Sequence, residues 1–259
     1  MSHLTAALLG AIAGLTIFIG LPVARVRGLP RSVQGFLNAL ATGVLLFLFW
    51  DILSHAGAPV EAAMKAHSSS FPLLAGFFAA GVGVGLLSLI YFNAAMMHRL
   101  RGPVGAAPSP QTLGLMIATG LGLHNFSEGL AIGQSAATGA IAFALILVVG
   151  FALHNITEGF GIAAPMTVAT TPVSWGFLAL TGLVGGAPTF LGTVIGYLFR
   201  SDLVYVLFLA LAAGALVYVL NELFVVGRRV TTPKVMAWGV LTGLLAAYAA
   251  DLFLVSVGG

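Results

Sequence analysis

Cysteine is absent from this chain of 259 residues. Its absence excludes disulfide bonds, thiolate metal sites and a cysteine nucleophile. Charged residues are scarce, since Asp, Glu, Lys and Arg together make up 7% of the chain. A soluble domain carries roughly 25% charged residues. The composition therefore excludes a soluble enzyme, a disordered chain and a nucleic-acid-binding domain, even with a pI of about 9.6.

Several motifs of ATP-driven or catalytic proteins are missing as well. The sequence contains no glycine-rich phosphate-binding loop, which argues against transport driven by ATP. It contains no His-Glu-x-x-His, the zinc protease motif that places a general base beside the first ligand. No lysine lies deep within an apolar stretch, where a retinal Schiff base would require one.

Long apolar stretches fill most of the chain, which is 59% hydrophobic with a mean hydropathy of +1.09. A membrane-crossing helix needs roughly 20 mostly apolar residues. We therefore predict an all-α integral membrane protein, with residues 1–259 forming a single transmembrane domain of eight helices. The windows are about 4–24, 33–55, 72–96, 112–134, 139–164, 174–198, 203–226 and 235–257.

The basic residues predict the orientation of these helices. One side of the membrane receives most of them: Arg25, Arg27, Arg31, Arg99, Arg101, Arg228, Arg229 and Lys234. The other side receives only Lys65 and Arg200. The positive-inside rule makes the basic side cytoplasmic, so both termini are predicted to lie outside, in the plasma membrane of a cell.

The acidic residues are distributed differently from the basic ones. Glu61 and Asp202 fall in predicted loops, but the other five acids fall inside apolar windows: Asp51, Glu128, Glu158, Glu222 and Asp251. A carboxylate at membrane depth costs from ~2.5 kcal/mol upward and is a functional candidate by default. Because no buried basic residue accompanies these acids, we expect them to be protonated or to face a cation.

A polar motif occurs twice at a separation of 30 residues. The sequence His-Asn-Phe-Ser-Glu-Gly begins at His124, and His-Asn-Ile-Thr-Glu-Gly begins at His154. In a helix, positions i and i+4 share a face, so each His lies beside its Glu and the Asn lies on the flank. A turn near Gly139 would make the two helices an antiparallel hairpin with both motifs at similar depth.

Six side chains would then converge: His124, Asn125, Glu128, His154, Asn155 and Glu158. Nitrogen and oxygen ligands suit divalent Zn, Fe, Mn or Co. Three alternatives remain open. The motifs could join helices by hydrogen bonds alone, they could form an intramembrane zinc hydrolase, or the acids could line a cation channel.

The repeated motif on the fourth and fifth of eight helices resembles that of the ZIP (Zrt-, Irt-like) metal-ion transporters of prokaryotic type. The resemblance implies a carrier, not an enzyme, that takes divalent metal ions such as Zn²⁺, Fe²⁺, Mn²⁺, Co²⁺ or Cd²⁺ into the cytoplasm. It implies a first ion on His124, Glu128, His154 and Glu158, and a second on Asn125, Glu128, Asn155 and Glu158. It also implies a further carboxylate on helix 7, which is Glu222 here.

The resemblance further implies a homodimer in the lipid bilayer, in which helices 1, 4, 5 and 6 move against helices 2, 3, 7 and 8. Two features depart from the family pattern. Ser127 and Thr157 stand where proline precedes the motif Glu, and a hydroxyl bends a helix more gently than proline. The loop after helix 3 has no His-rich tract.

Other polar positions allow two interpretations. Asp51 and His55 lie at i and i+4 in helix 2 and, with Asp251 of helix 8, either capture metal at the outer entrance or lie at solvated helix ends. In helix 6, the sequence Gly185-Gly186-Ala187-Pro188 predicts a break or kink, since glycine and proline together weaken the hydrogen-bond ladder.

Overall fold

A computed structural model describes residues 1–26, 28, 30–99, 108–137, 139, 141–169, 171–199 and 201–258, with the backbone alone for residues 92, 93, 96–99, 142, 143, 146, 153, 154, 157, 254, 257 and 258. The described residues form eight long helical segments. They are α1 (His3–Leu15, continued by Ile17–Gly20 and a 3-10 turn, Leu21–Arg25), α2 (Arg31–Lys65), α3 (Phe71–Arg99), α4 (Pro110–Ala137), α5 (Ile141–Ala163, continued by a 3-10 turn, Ala164–Val168), α6 (Trp175–Leu198), α7 (Asp202–Val230) and α8 (Pro233–Gly258).

Serine residues cap the N-termini of several of these helices. The hydroxyls of Ser2, Ser174 and Ser201 accept hydrogen bonds from backbone N–H groups in the first turns of α1, α6 and α7. Each cap satisfies an N–H that would otherwise lack an intrahelical partner. Between α4 and α5, Gly139 has a φ of 82°, a conformation that favours glycine.

Six of the described helices are long and apolar enough to cross a membrane: α1, α2, α6 and α7 in full, and α3 and α8 over residues 71–91 and 233–253. The protein is therefore a multi-pass membrane protein. The two motif helices are not among these six, although they contain 28 and 23 residues. Eight spans accordingly remain a prediction.

Two local expectations are corrected. The predicted end of helix 2 before Pro59 is wrong, because α2 continues through Pro59 to Lys65. Glu61 and Lys65 therefore lie on an exposed helical turn, where they form an ion pair of 3.5 Å, rather than in a loop. For helix 6 the sequence predicted a break or kink, and the structure contains no break, because α6 runs continuously from Trp175 to Leu198 with Pro188 inside.

The glycines of α1, α4, α5 and α6 bring the backbones of these helices into close contact. A Cβ at Gly122 or Gly129 of α4 would lie 2.3 or 2.1 Å from a carbonyl oxygen of α6. A Cβ at Gly159 of α5 would lie 2.0 Å from the Ile17 carbonyl oxygen of α1. Only glycine permits such an approach. We call these four helices the motif group.

The other four helices are packed in the same way, and we call them the flanking group. A Cβ at Gly43 of α2 would lie 2.1 Å from the Val240 carbonyl oxygen of α8. A Cβ at Gly85 of α3 would lie 2.1 Å from the Leu211 carbonyl oxygen of α7. Helices α2 and α7 also pack against each other.

The two groups meet through side chains. Among the glycines whose surroundings the structure describes, two face the other group. A Cβ at Gly120 would lie 3.3 Å from the Ala215 Cβ, and one at Gly161 would lie 4.0 Å from Leu45. One buried hydrophobic cluster fills this boundary, with Leu113, Ile117 and Leu121 from the motif group and Leu45, Leu48, Leu209 and Leu216 from the flanking group.

Candidate metal site

Helix α4 carries the first copy of the motif into the interior. His124 and Glu128 each expose 5% of their surface, and Asn125 is fully buried. The spacing of four residues puts His124 and Glu128 on one face, with 3.2 Å between His124 Nε2 and Glu128 Oε1. The first motif therefore places an imidazole and a carboxylate side by side in a buried position.

Helix α5 carries the second copy, and Asn155 and Glu158 are fully buried there. The two copies are in direct contact. The Asn125 Nδ2 group lies 2.8 Å from Asn155 Oδ1 and 2.7 Å from Glu158 Oε2, and it donates hydrogen bonds to both.

The two asparagines connect all four helices of the motif group. Besides its contacts with α5, Asn125 Nδ2 lies 3.0 Å from the Gly185 carbonyl oxygen of α6, which accepts a hydrogen bond from it. Asn155 Nδ2 donates a hydrogen bond of 3.1 Å to the Ala13 carbonyl oxygen of α1. These bonds fix the orientation of both amides and leave the Asn125 Oδ1 atom buried without a hydrogen-bond partner among the described atoms.

The electrostatic character of this cluster suits a cation. Within the described part of the chain, no Lys or Arg side chain is buried. The two buried carboxylates therefore lie in a cluster whose described nitrogen base is the His124 imidazole, 3.2 Å from Glu128. The donor set of carboxylate and amide oxygens with an imidazole nitrogen is one that Zn²⁺, Fe²⁺ and Mn²⁺ accept.

His154, which the sequence predicts as a ligand, lies on α5, but its side chain is outside the described part of the structure, as is that of Thr157. Among the described side chains, no three His, Asp or Glu residues are close enough to hold one ion. The full set of four first ligands therefore stays a prediction.

A cavity of about 230 Å³ opens beside the first motif. Its walls come from both groups, with His124, Ser127, Glu128, Ala131, Leu147 and Phe151 on one side and Asp51, Ile52, His55, Tyr205 and Leu209 on the other. Asp51 Oδ1 lies 3.2 Å from His55 Nδ1. The two candidate entrance residues of α2 therefore share a cavity with His124 and Glu128.

Two other predicted residues lie elsewhere. Glu222 is half-buried on α7. Asp251 is half-buried on α8. Neither is among the described residues that line the cavity.

Sequence reasoning did not identify the backbone carbonyls of Ala13 and Gly185, because a backbone acceptor leaves no mark in residue type. It also missed Tyr205, a tyrosine of α7 that lines the cavity. The abundance of glycine near Gly185 was the one available signal, since it indicates where another helix can approach closely.

Comparisons with known proteins identify the family of this chain. Residues 104–225, which contain both motifs, match the family model described as ZIP Zinc transporter. A protein named zinc transporter ZupT from Chlorobium limicola is 32% identical over 260 residues, which cover 94% of this chain and 96% of that protein. A zinc transporter ZupT from Streptococcus mutans is 29% identical over 253 residues, which cover 93% and 94%. The chain therefore belongs to the ZIP family of zinc transporters.

Proposed function

We propose that this protein is a secondary carrier that moves divalent transition-metal ions, zinc foremost, across the plasma membrane into the cytoplasm. The observation that carries the proposal is the buried contact between the two motifs, in which Asn125 of α4 meets Asn155 and Glu158 of α5. The buried carboxylates of Glu128 and Glu158, together with the imidazole and amide groups around them, favour a cation as the transported species.

The ion is held between α4 and α5. His124, Glu128, His154 and Glu158 would bind the first ion, and Asn125, Glu128, Asn155 and Glu158 would bind a second one beside it. The buried Asn125 Oδ1 atom supports this assignment, since a cation would satisfy an acceptor that has no hydrogen bond in the structure. Glu222 of α7 is proposed as a further carboxylate ligand on the family resemblance alone.

Alternating access follows from the two groups of helices. The motif group carries the ion and slides against the flanking group, so that the site opens first to one side and then to the other. Close glycine contacts within each group, and side-chain contacts between the groups, support this division.

The proposed topology has eight spans with both termini outside, because α4 and α5 must also cross the membrane if the site lies within it. Eight of the ten basic residues then lie on the cytoplasmic side. A homodimer is proposed on the family resemblance alone.

Uptake into proteoliposomes tests the proposal. The purified protein is reconstituted, and entry of Zn, Fe, Mn, Co and Cd is measured for the parent, for His124→Ala with His154→Ala, and for Glu128→Gln with Glu158→Gln. We expect both double variants to lower zinc uptake by more than about tenfold, because each removes first ligands of the ion. The matched control is Glu61→Gln with Asp202→Asn, which removes two exposed carboxylates and should leave uptake unchanged.

Three results would contradict the proposal. Unchanged uptake by the Glu128→Gln, Glu158→Gln variant would disprove the site. Flux that never saturates with metal concentration would favour a channel lined by the same acids. Zinc-dependent hydrolysis without transport would favour an intramembrane hydrolase. Because His and carboxylate ligands must lose protons to bind metal, the concentration for half-maximal uptake should be higher at acidic than at neutral pH.

A further inference from the structure

A second cavity lies far from the motif, between the end of α7 and the start of α8. Its volume is about 720 Å³, and its walls are mostly apolar: Phe224, Arg228, Thr231, Pro233, Met236, Ala237, Val240, Leu241 and Leu244. The α8 residues recur at intervals of three and four positions, so they form one continuous face of that helix. The cavity is therefore a groove that runs along α8.

One end of this groove is basic. Arg228 lines it, and Arg229 and Lys234 are exposed close by in the chain. Gly35 of α2 packs against Thr231, so the start of α2, with exposed Arg31, lies at the same end. Within the described residues, no acidic side chain forms an ion pair with Arg228.

The apolar part of the groove is as long as a lipid tail. From Pro233 to Leu244 the helix advances ~17 Å at 1.5 Å per residue. Leu244 also lines a further cavity of about 420 Å³ with Leu46, Phe47, Phe49, Trp50 and Tyr248, which extends the apolar surface to Tyr248. Half of a bilayer hydrocarbon core is ~15 Å thick, so the groove spans a leaflet from its surface inwards.

From these features we infer that the groove binds one anionic phospholipid. The phosphate of the headgroup pairs with Arg228 at the membrane surface, and an acyl chain lies along α8 over Met236, Val240 and Leu244. Arg228, the basic residue that lines the groove, selects an anionic headgroup by pairing with it directly, whereas Arg229 lies outside the groove. The apolar wall holds the tail by contact area and does not select among headgroups.

Native mass spectrometry of the delipidated full-length protein tests this inference. Phosphatidylglycerol or phosphatidylcholine with identical acyl chains is added, and the number of bound lipids is counted against lipid concentration. We expect the parent to bind one phosphatidylglycerol at a roughly fivefold lower concentration than phosphatidylcholine. Arg228→Gln should abolish this preference, whereas Arg229→Gln, which removes the neighbouring charge outside the groove, should preserve it.

A second variant tests the apolar part of the groove. Ala237→Phe fills the groove and should weaken binding of both lipids, with its melting temperature compared to the parent as a folding control. Equal binding of the two lipids by the parent would overturn the inference. So would equal losses in Arg228→Gln and Arg229→Gln, or unchanged lipid binding in a folded Ala237→Phe variant. A shift from dimer to monomer in Ala237→Phe with lipid binding retained would assign the groove to a second copy of the chain and likewise overturn it.

Discussion

The contacts within each group of helices differ in kind from the contacts between the groups. Inside the motif group, glycines such as Gly122 and Gly159 place one backbone against another at distances that no other residue permits. Across the boundary, Gly120 and Gly161 face side chains at 3.3 and 4.0 Å. The closest backbone contacts therefore mark which helices must stay together.

This difference has a mechanical consequence. Backbone atoms in close contact cannot slide without a clash, because neither surface has side chains that can rotate aside. A boundary of leucine and phenylalanine side chains can be rearranged, since the contacts that break are replaced by similar ones. Phe126 of the motif and Phe208 of α7 stack across this boundary with ring centroids 4.2 Å apart. The cavity beside His124 lies at the same boundary, so sliding would change what the site faces.

The largest effect is expected from locking the boundary. The chain has no cysteine, so introduced pairs are the only thiols. Phe126→Cys with Phe208→Cys, joined by a short reducible crosslinker, should abolish zinc uptake, because it ties the two groups together. The matched control is His3→Cys with Tyr197→Cys, whose rings lie 5.0 Å apart within the motif group. Crosslinking this pair should leave most uptake intact, and a reducing agent should restore uptake in the first pair. Full uptake by the crosslinked Phe126→Cys, Phe208→Cys variant would refute movement at this boundary.

A smaller effect is expected on stability from matched glycine substitutions. Gly122→Ala puts a Cβ 2.3 Å from the Val184 carbonyl oxygen, so it should destabilise the protein by about 2 kcal/mol. Gly161→Ala meets nothing nearer than 4.0 Å and gains helix propensity, so it should be neutral or stabilising by about 0.5 kcal/mol. Thermal unfolding in detergent measures both. Equal melting temperatures for the two variants would mean that the contacts within a group tolerate an added Cβ as well as the contacts between the groups do.

The sequence predicted the family correctly, because the resemblance depends on residue type and spacing. The motif at a 30-residue interval is visible without any structure, and the resemblance drawn from it is confirmed by the comparisons. The 30-residue spacing and the turn at Gly139 predict that the two copies of the motif lie at similar depth. In the structure, Asn125 of the first copy donates a hydrogen bond to Asn155 of the second. Burial of Glu128 and Glu158 follows from their apolar surroundings.

Features that depend on pairing between distant helices were not predictable. Which carbonyl oxygen accepts from Asn155 is decided by the approach of α1, 142 residues away in sequence. The glycines of α6 suggested a break, whereas they serve as contact points for α1 and α4 in an unbroken helix. The predicted window of helix 2 ends at residue 55, but α2 continues through Pro59 because the last turns of that helix are largely exposed. A single sequence does not show which residues of distant helices come into contact.

The smallest effect is expected at the flanking wall of the cavity, where Asp51 faces the site without belonging to the motif group. Asp51→Asn should raise the zinc concentration for half-maximal uptake roughly two- to fivefold, because it removes a charge that attracts the ion in a partly solvated cavity. The maximal rate should change little, since the ligands on α4 and α5 remain. Glu61→Gln is the matched control, because Glu61 is an exposed acid of the same helix as Asp51 and lies outside the cavity lining. If both variants shift the half-maximal concentration equally, Asp51 acts only through the general negative potential of the flanking group. If Asp51→Asn alone shifts the half-maximal concentration, Asp51 attracts the ion from its place in the cavity. The flanking group then contributes to metal entry as well as to the wall of the cavity.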